Sequence, residues 1–128
     1  MRLLLDTHTF LWWVSDHASL SRRARKAIAD ENNDCFFSVA SGWELAIKTS
    51  QGKLDVGGSL ARFLPEQLAL NQFQLLPIDL RHVLRVATLP WHHRDPFDRL
   101  LAAQCACDHL TLVSADSVIA DYGVDLLW

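Results

Sequence analysis

Short runs of consecutive apolar residues alternate along the chain with longer stretches in which apolar positions recur every three or four residues. The runs predict strands and the stretches predict helices. "RLLLD" opens the chain as a strand ending at Asp6, and "CFFSV", "QLLPI", "TLVS" and "VDLLW" follow at Cys35, Gln74, Thr111 and Val124. Between them, "THTFLWWV" reads as a short helix. "RRARKAIADE", entered after Ser19 or Ser21, places Ala24, Ala27 and Ile28 at helical spacing. Ser38 or Ser41 starts a helix carrying Trp43, Glu44, Ile47 and Lys48, with Glu44 and Lys48 a favourable i,i+4 pair. A helix from Ser59 to about Leu70, "DLRHVLRVATL" started by Asp79 and stopped by Pro90, and Pro96 to about Asp108 complete the long elements. Asp116 caps a short helix before the final strand. Strands separated by helices in this way predict the α/β class, with a parallel sheet of about five strands.

With 128 residues, half of them hydrophobic, the expectation is one domain over residues 1–128. The loosest region is the loop "GKLDVGG" at Gly52 to Gly58. "MRLLLD" meets an acid too early for a signal peptide, and no apolar run nears the ~20 residues of a membrane span. The reading is therefore a cytoplasmic protein with no membrane partner. Cys35, Cys105 and Cys107 form neither an even set nor a C-x-x-C pair, which predicts reduced, mostly buried thiols and no structural zinc. A formal charge of -3 argues against a generic basic nucleic-acid binder. Arg22, Arg23, Arg25 and Lys26 read first as a solvated helix face, while Arg94 and Arg99 flank a pair of aspartates.

That pair lies in "HHRDPFDRLL". Asp95 fits a helix cap, Pro96 the first helical position, and Asp98 the place of a capping-box acid. In open parallel sheets, sites form beyond the carboxyl ends of the strands. Asp6, Glu44, Asp95, Asp98 and Asp116 all fall there by position, so one acidic rim is expected. Crowded carboxylates repel by several kcal/mol at intermediate dielectric. A divalent cation removes that conflict, and an oxygen-only donor set suits Mg²⁺ or Mn²⁺, whose usual work with phosphate directs the reading to phosphodiester chemistry. Each acid also has a local reading: Asp6 and Asp116 as caps, the latter with Ser114 beside it, and Glu44 as the partner of Lys48. His92 and His93, being adjacent, point apart and do not make a metal pair. Neither a G-x-S-x-G elbow nor a glycine-rich phosphate loop is present.

Four segments in order, "LLLDTHTFLWW", "FSVASGWELAIKTSQGKL", "LPWHHRDPFDRLLAAQC" and "LTLVSADSVIADYGVDLLW", resemble the PIN-domain family, and more closely its VapC-type ribonuclease toxins. The resemblance implies a three-layer α/β/α sandwich with its acidic site on Asp6, Glu44, Asp98 and Asp116. Asp95 is either a further metal ligand or only the cap, and Ser114 stands where a supporting hydroxyl is common. It further implies a Mg²⁺- or Mn²⁺-dependent endoribonuclease that leaves 5′-phosphates and acts on RNA, commonly a structured RNA such as tRNA. A cognate antitoxin and a homodimer are implied as well, with Phe10, Trp12 and Trp13 available for such contacts. A dehalogenase-type phosphatase would need an acid where His8 stands, and a receiver domain would need a lysine beyond Lys53. A PIN module that binds RNA or protein without turnover is the alternative from another class.

Overall fold

The computed structural model describes residues 1–128. Its elements run β1 (Arg2–Leu5), α1 (Thr7–Val14), α2 (Arg22–Ala29), β2 (Asp34–Ser38), α3 (Val39–Ser50), α4 (Leu60–Leu70), β3 (Gln74–Leu76), α5 (Leu80–Val86), α6 (Pro96–Asp108), β4 (Thr111–Val113), a 3-10 helix (Ser117–Tyr122) and β5 (Leu126–Leu127). The strands form one sheet in the order β3-β2-β1-β4-β5. Every pairing is parallel, and the central β1 sets Leu3 against Cys35 on one side and Thr111 on the other. The expected α/β class, five-stranded sheet and three layers are all borne out.

Strand alternation divides the core in two. Leu3, Leu5, Phe37 and Val113 face one side, packing with Phe10 of α1, Ala24 and Ile28 of α2 and the apolar flank of α4. Leu4 and Leu112 face the other, against Leu101, Ala102 and Cys105 of α6. Leu3, Leu4 and Leu5 are fully buried, and each contributes about 2 kcal/mol by leaving water. Phe10 meets Phe37 at 4.5 Å between ring centroids. Phe10 is therefore withdrawn from any surface contact, while Trp12 and Trp13 are half-buried against the same core. No helix is long and apolar enough to cross a membrane.

Element boundaries shift from the sequence expectation for local reasons. Ser21 caps α2 by accepting the Ala24 N–H. Ser38, not Ser41, caps α3 by accepting from Ala40, which moves Val39 from strand to helix. β3 stops at Leu76 because Pro77 has no N–H to pair. α5 ends at Val86 rather than running to Leu89, and β5 shortens to Leu126–Leu127. Cys35 and Cys105 are buried and unpaired, with burial raising both thiols, Cys35 to about 11. Cys107 is half-buried and also free. On α2, Arg22, Arg23 and Lys26 are exposed while Arg25 pairs with Asp16.

Two buried polar side chains fix α6 over the sheet. Gln104 accepts from the Ser38 hydroxyl at 2.6 Å and donates to the Pro77 carbonyl at 3.3 Å, tying α6 to the ends of β2 and β3. Arg99 does not flank the aspartates as a surface charge. It is buried, and it donates to the carbonyls of Val86, Leu89 and Pro90 and to the Tyr122 hydroxyl. The Trp91 ring covers its guanidinium at 3.9 Å. Arg99 thus supplies donors to the carbonyls that end α5, where a cation is also favoured by the helix dipole. Replacing Arg99 by Ala strands those carbonyls, so Arg99→Ala is expected to lower unfolding stability by about 3 kcal/mol in urea titrations. Arg99→Lys, lacking the planar fork, should recover less than half of that loss.

Candidate active site and metal centre

Leaving β1, the chain builds β2 and β3 on one side and then crosses to β4 on the other. Strand order therefore reverses between β1 and β4, and the crevice beyond their carboxyl ends is where an open parallel sheet leaves room for a ligand. Asp6 directly follows β1, and Ser114 and Asp116 follow β4. The Asp6 N–H donates to Val113 O at 3.2 Å and the Thr9 hydroxyl donates to the same carbonyl at 2.8 Å, which pins the start of α1 to the end of β4. Asp6 is also the N-cap of α1, its Oδ1 accepting the Thr9 N–H at 2.7 Å. It is buried, with 7% of its surface exposed.

On the β4 side, Ser114 is fully buried and accepts the Asp116 N–H at 3.1 Å, shaping the turn that presents Asp116. Asp116 caps the 3-10 helix through Oδ1, which accepts the Val118 N–H at 3.1 Å. Glu44 arrives from the second turn of α3 and is buried. Its Oε1 takes the Thr7 hydroxyl at 2.7 Å, its Oε2 takes the Lys48 ammonium at 2.8 Å, and Ser41 stands 3.0 Å from the Thr7 oxygen. The i,i+4 pair expected on α3 is present, so Glu44 serves that pair and the rim together.

Asp95 caps α6 by accepting from Phe97 N at 2.8 Å and Asp98 N at 3.2 Å. The first turn of α6 then carries Asp98 into the cluster. Burial pushes the Asp98 carboxyl up to about 7, reinforced by the negative charges of Asp95, Asp6 and Glu44, while His93 pulls the other way. Three of the other four rim acids therefore act on Asp98, and His93 joins the fourth, Asp116. Its Nε2 lies 2.7 Å from Asp116 Oδ2 and 3.3 Å from Asp98 Oδ2.

Sequence reasoning undervalued His93. It does point away from its neighbour, since His92 is exposed and rests on Tyr122 at 5.2 Å. His8 is likewise exposed, against Trp12. The local signal was the offset of His93 from Asp95: its Nδ1 accepts the Asp95 N–H at 3.0 Å, a turn in which a side chain bonds the backbone two residues on. Thr7 and Ser41 were missed too. Ser41 lies three residues before Glu44, a spacing that puts its hydroxyl beside that acid on a helix, whereas the Thr7 hydroxyl reaches Glu44 from 37 residues away and has no local signal.

Oxygen donors predominate, and the Asp98 carboxyl, raised to about 7 by burial first and by Asp95, Asp6 and Glu44 after it, stands where a cation would be welcome. The donor chemistry thus fits a hard divalent cation such as Mg²⁺ or Mn²⁺. One atom each of His93, Asp98 and Asp116 lies within 4.8 Å of the others; Asp6 is not part of that group.

The PIN-domain family model matches residues 3–124. VapBC2 of Rickettsia felis, solved on a DNA fragment from its promoter, superposes with a TM-score of 0.75 at 16% identity, covering 98% of this chain and 97% of that one. FitAcB of Neisseria gonorrhoeae gives 0.68 at 20% identity over 97% and 95%. VapBC-5 of Mycobacterium tuberculosis gives 0.61 at 18% identity over 98% and 96%. At these identities the likeness is one of fold. No curated protein matches by sequence.

The raised Asp98 carboxyl makes the metal-free protein pH-sensitive. Its ordinary value is 3.8 and the folded value about 7, so the folded chain keeps a proton that the unfolded chain has released. Stability is then greatest on the acid side and falls as pH rises from about 4 through about 7, by on the order of 2 kcal/mol after allowing for partial exposure. Urea titrations in EDTA at about pH 5 and about pH 7.5 should show this fall in the wild type and a flatter response in Asp98→Asn. Asp95→Asn keeps the cap and removes the largest of the charges acting on Asp98, so it should move the window to lower pH.

Proposed function

The chain belongs to the PIN-domain family, and we propose that within it this is a VapC-type toxin: a Mg²⁺- or Mn²⁺-dependent endoribonuclease held in check by a cognate antitoxin. Members of the family are generally nucleases that use divalent metal. The observation that carries the reading is the meeting of Asp6, Glu44, Asp98 and Asp116 at the β1/β4 crevice, with Asp98 raised to about 7 by burial first and by Asp95, Asp6 and Glu44 after it. A structural ion pair would depress a carboxylate, whereas Asp98 is raised, by burial and then by acidic neighbours, and a cation bound there would relieve the second of these.

In the proposed mechanism Asp6, Asp98 and Asp116 supply the ligand oxygens. A divalent cation held by these residues would supply charge compensation for the phosphate and a lowered pKa for water. Glu44, with both oxygens engaged by Thr7 and Lys48, is the acid least free to ligate, and its role is to orient water at the edge of the site. Lys48 stays one-third exposed beside it and is placed to meet a phosphate oxygen. Asp95 belongs to this scheme as the cap that presents Asp98 and as a charge acting on it, rather than as a ligand. Ser114 sets the turn that carries Asp116.

The substrate class follows from charge. A chain with a net charge of -3 lacks the bulk attraction for nucleic acid, which favours selection by shape and loop contacts, as in a structured RNA such as tRNA. The structural neighbours are solved as toxin–antitoxin complexes, which supports an antitoxin partner here, and we extend to this chain a homodimeric, cytoplasmic state.

Purified protein incubated with total RNA should give discrete fragments with 5′-phosphates in Mg²⁺ or Mn²⁺ and none in EDTA. Asp6→Asn and Asp98→Asn should each lose on the order of 100-fold or more in cleavage while remaining folded. Asp95→Ala should instead lose about 1 kcal/mol of stability. Metal at about 100 times its dissociation constant should add about 2.7 kcal/mol, a rise of about 10 °C in Tm. Stabilisation by metal with every RNA left intact would mark a binding module instead.

A further inference from the structure

His93 sits among the proposed metal ligands, and its two ring nitrogens have unlike surroundings. Nδ1 faces the Asp95 backbone N–H at 3.0 Å, and a backbone amide only donates, so Nδ1 is the acceptor and carries no proton. The proton of the ring is therefore on Nε2, which faces Asp116 Oδ2 at 2.7 Å and Asp98 Oδ2 at 3.3 Å. The opposite tautomer, or a doubly protonated ring, would set an N–H against the Asp95 N–H. The backbone around His93 is held as well: its own N–H donates to the Tyr122 hydroxyl at 2.7 Å, and Tyr122 in turn receives Arg99 at 3.2 Å. The ring is 19% exposed and cannot reverse without breaking the Asp95 turn.

We propose that His93 is a positioning residue of this site and not a metal ligand: its Nε2–H donates to Asp116 and, standing 3.3 Å from Asp98 Oδ2, holds the facing oxygens of the two acids near each other from opposite ends of the crevice. The inference rests on the reading that these carboxylates hold a divalent cation. An Nε2 that carries a proton has no lone pair for a metal, so the three close residues do not form a nitrogen-containing cage. Their arrangement is instead a carboxylate pair oriented by a shared donor, the reverse of the familiar histidine ligand oriented by a carboxylate. Asp98 comes from α6 and Asp116 from the turn after β4, elements joined here by no other side-chain hydrogen bond between these acids. One donor beside both keeps the pair close before any cation binds.

The test separates this role from ligation. Nitrogen-15 NMR of His-labelled protein should show His93 protonated on Nε2 and not on Nδ1, both without metal and with Mg²⁺. Electron-spin-echo spectra of the Mn²⁺-loaded protein should lack directly bonded nitrogen. Mn²⁺ affinity should fall about 10-fold in His93→Ala and recover largely in His93→Gln, whose amide restores a donor. Loss of the Nε2 proton on adding Mg²⁺, a bound-nitrogen signal that vanishes in His93→Ala, or unchanged affinity in both variants would each overturn the proposal. A chain that binds no Mn²⁺ while the metal-free spectrum still shows the Nε2 proton would fault the cation reading and leave the His93 contact in place.

Discussion

The structure depends on a double use of carboxylates. Asp6, Asp95 and Asp116 each cap the N-terminus of a helical element, accepting backbone N–H groups that would otherwise lack partners. The same three residues form much of the acidic rim. An acid at a helix N-terminus is favoured by the local dipole by about 0.3–1 kcal/mol. Capping therefore offsets part of the repulsion that the crowding creates. Asp98 has no cap to make. It is buried among the other acids, and its raised carboxyl records that burial first and their charge second.

Holding repelling groups together needs a rigid frame, and the frame is polar as well as apolar. Gln104 binds α6 to the ends of β2 and β3, and Arg99 binds the start of α6 to the end of α5 and to Tyr122. Tyr122 reaches the backbone of His93, and His93 reaches Asp98 and Asp116. A chain of hydrogen bonds thus runs from a buried arginine to the acidic pair. Every fully buried side-chain nitrogen and oxygen has a partner, so these ties are not left as liabilities.

Much of this was legible in the sequence because strands, caps and the Asp-Pro start are local signals. Leu3, Leu4 and Leu5 form an unbroken apolar run, as a strand covered on both faces must. The acids were visible but ambiguous, since cap and site readings competed for Asp6 and Asp116. The geometry shows why the competition had no local answer: both residues cap, and both stand on the rim. What stayed hidden depends on tertiary neighbours. Arg99 looked like a charge beside the aspartates, yet its partners are carbonyls nine to thirteen residues earlier and a tyrosine hydroxyl 23 residues later. His93 read as one of two adjacent histidines that do not make a metal pair, and its place at the site comes from Asp116, 23 residues away.

Charge at the crevice bears on the proposed chemistry in one further way. A phosphodiester approaching Asp6, Glu44, Asp98 and Asp116 meets repulsion, and the chain's net charge of -3 gives no long-range compensation. On the nuclease reading, the cation is needed for the substrate to settle as well as for the bond to break. Metal and RNA would then bind with positive coupling, each improving the other's affinity by the same factor. A site built from neutral donors would not link the two. The near-neutral surface and the strongly acidic crevice are in that sense one design: little attracts RNA until the cation is present, and Lys48, already beside Glu44, is a fixed cation to add to it.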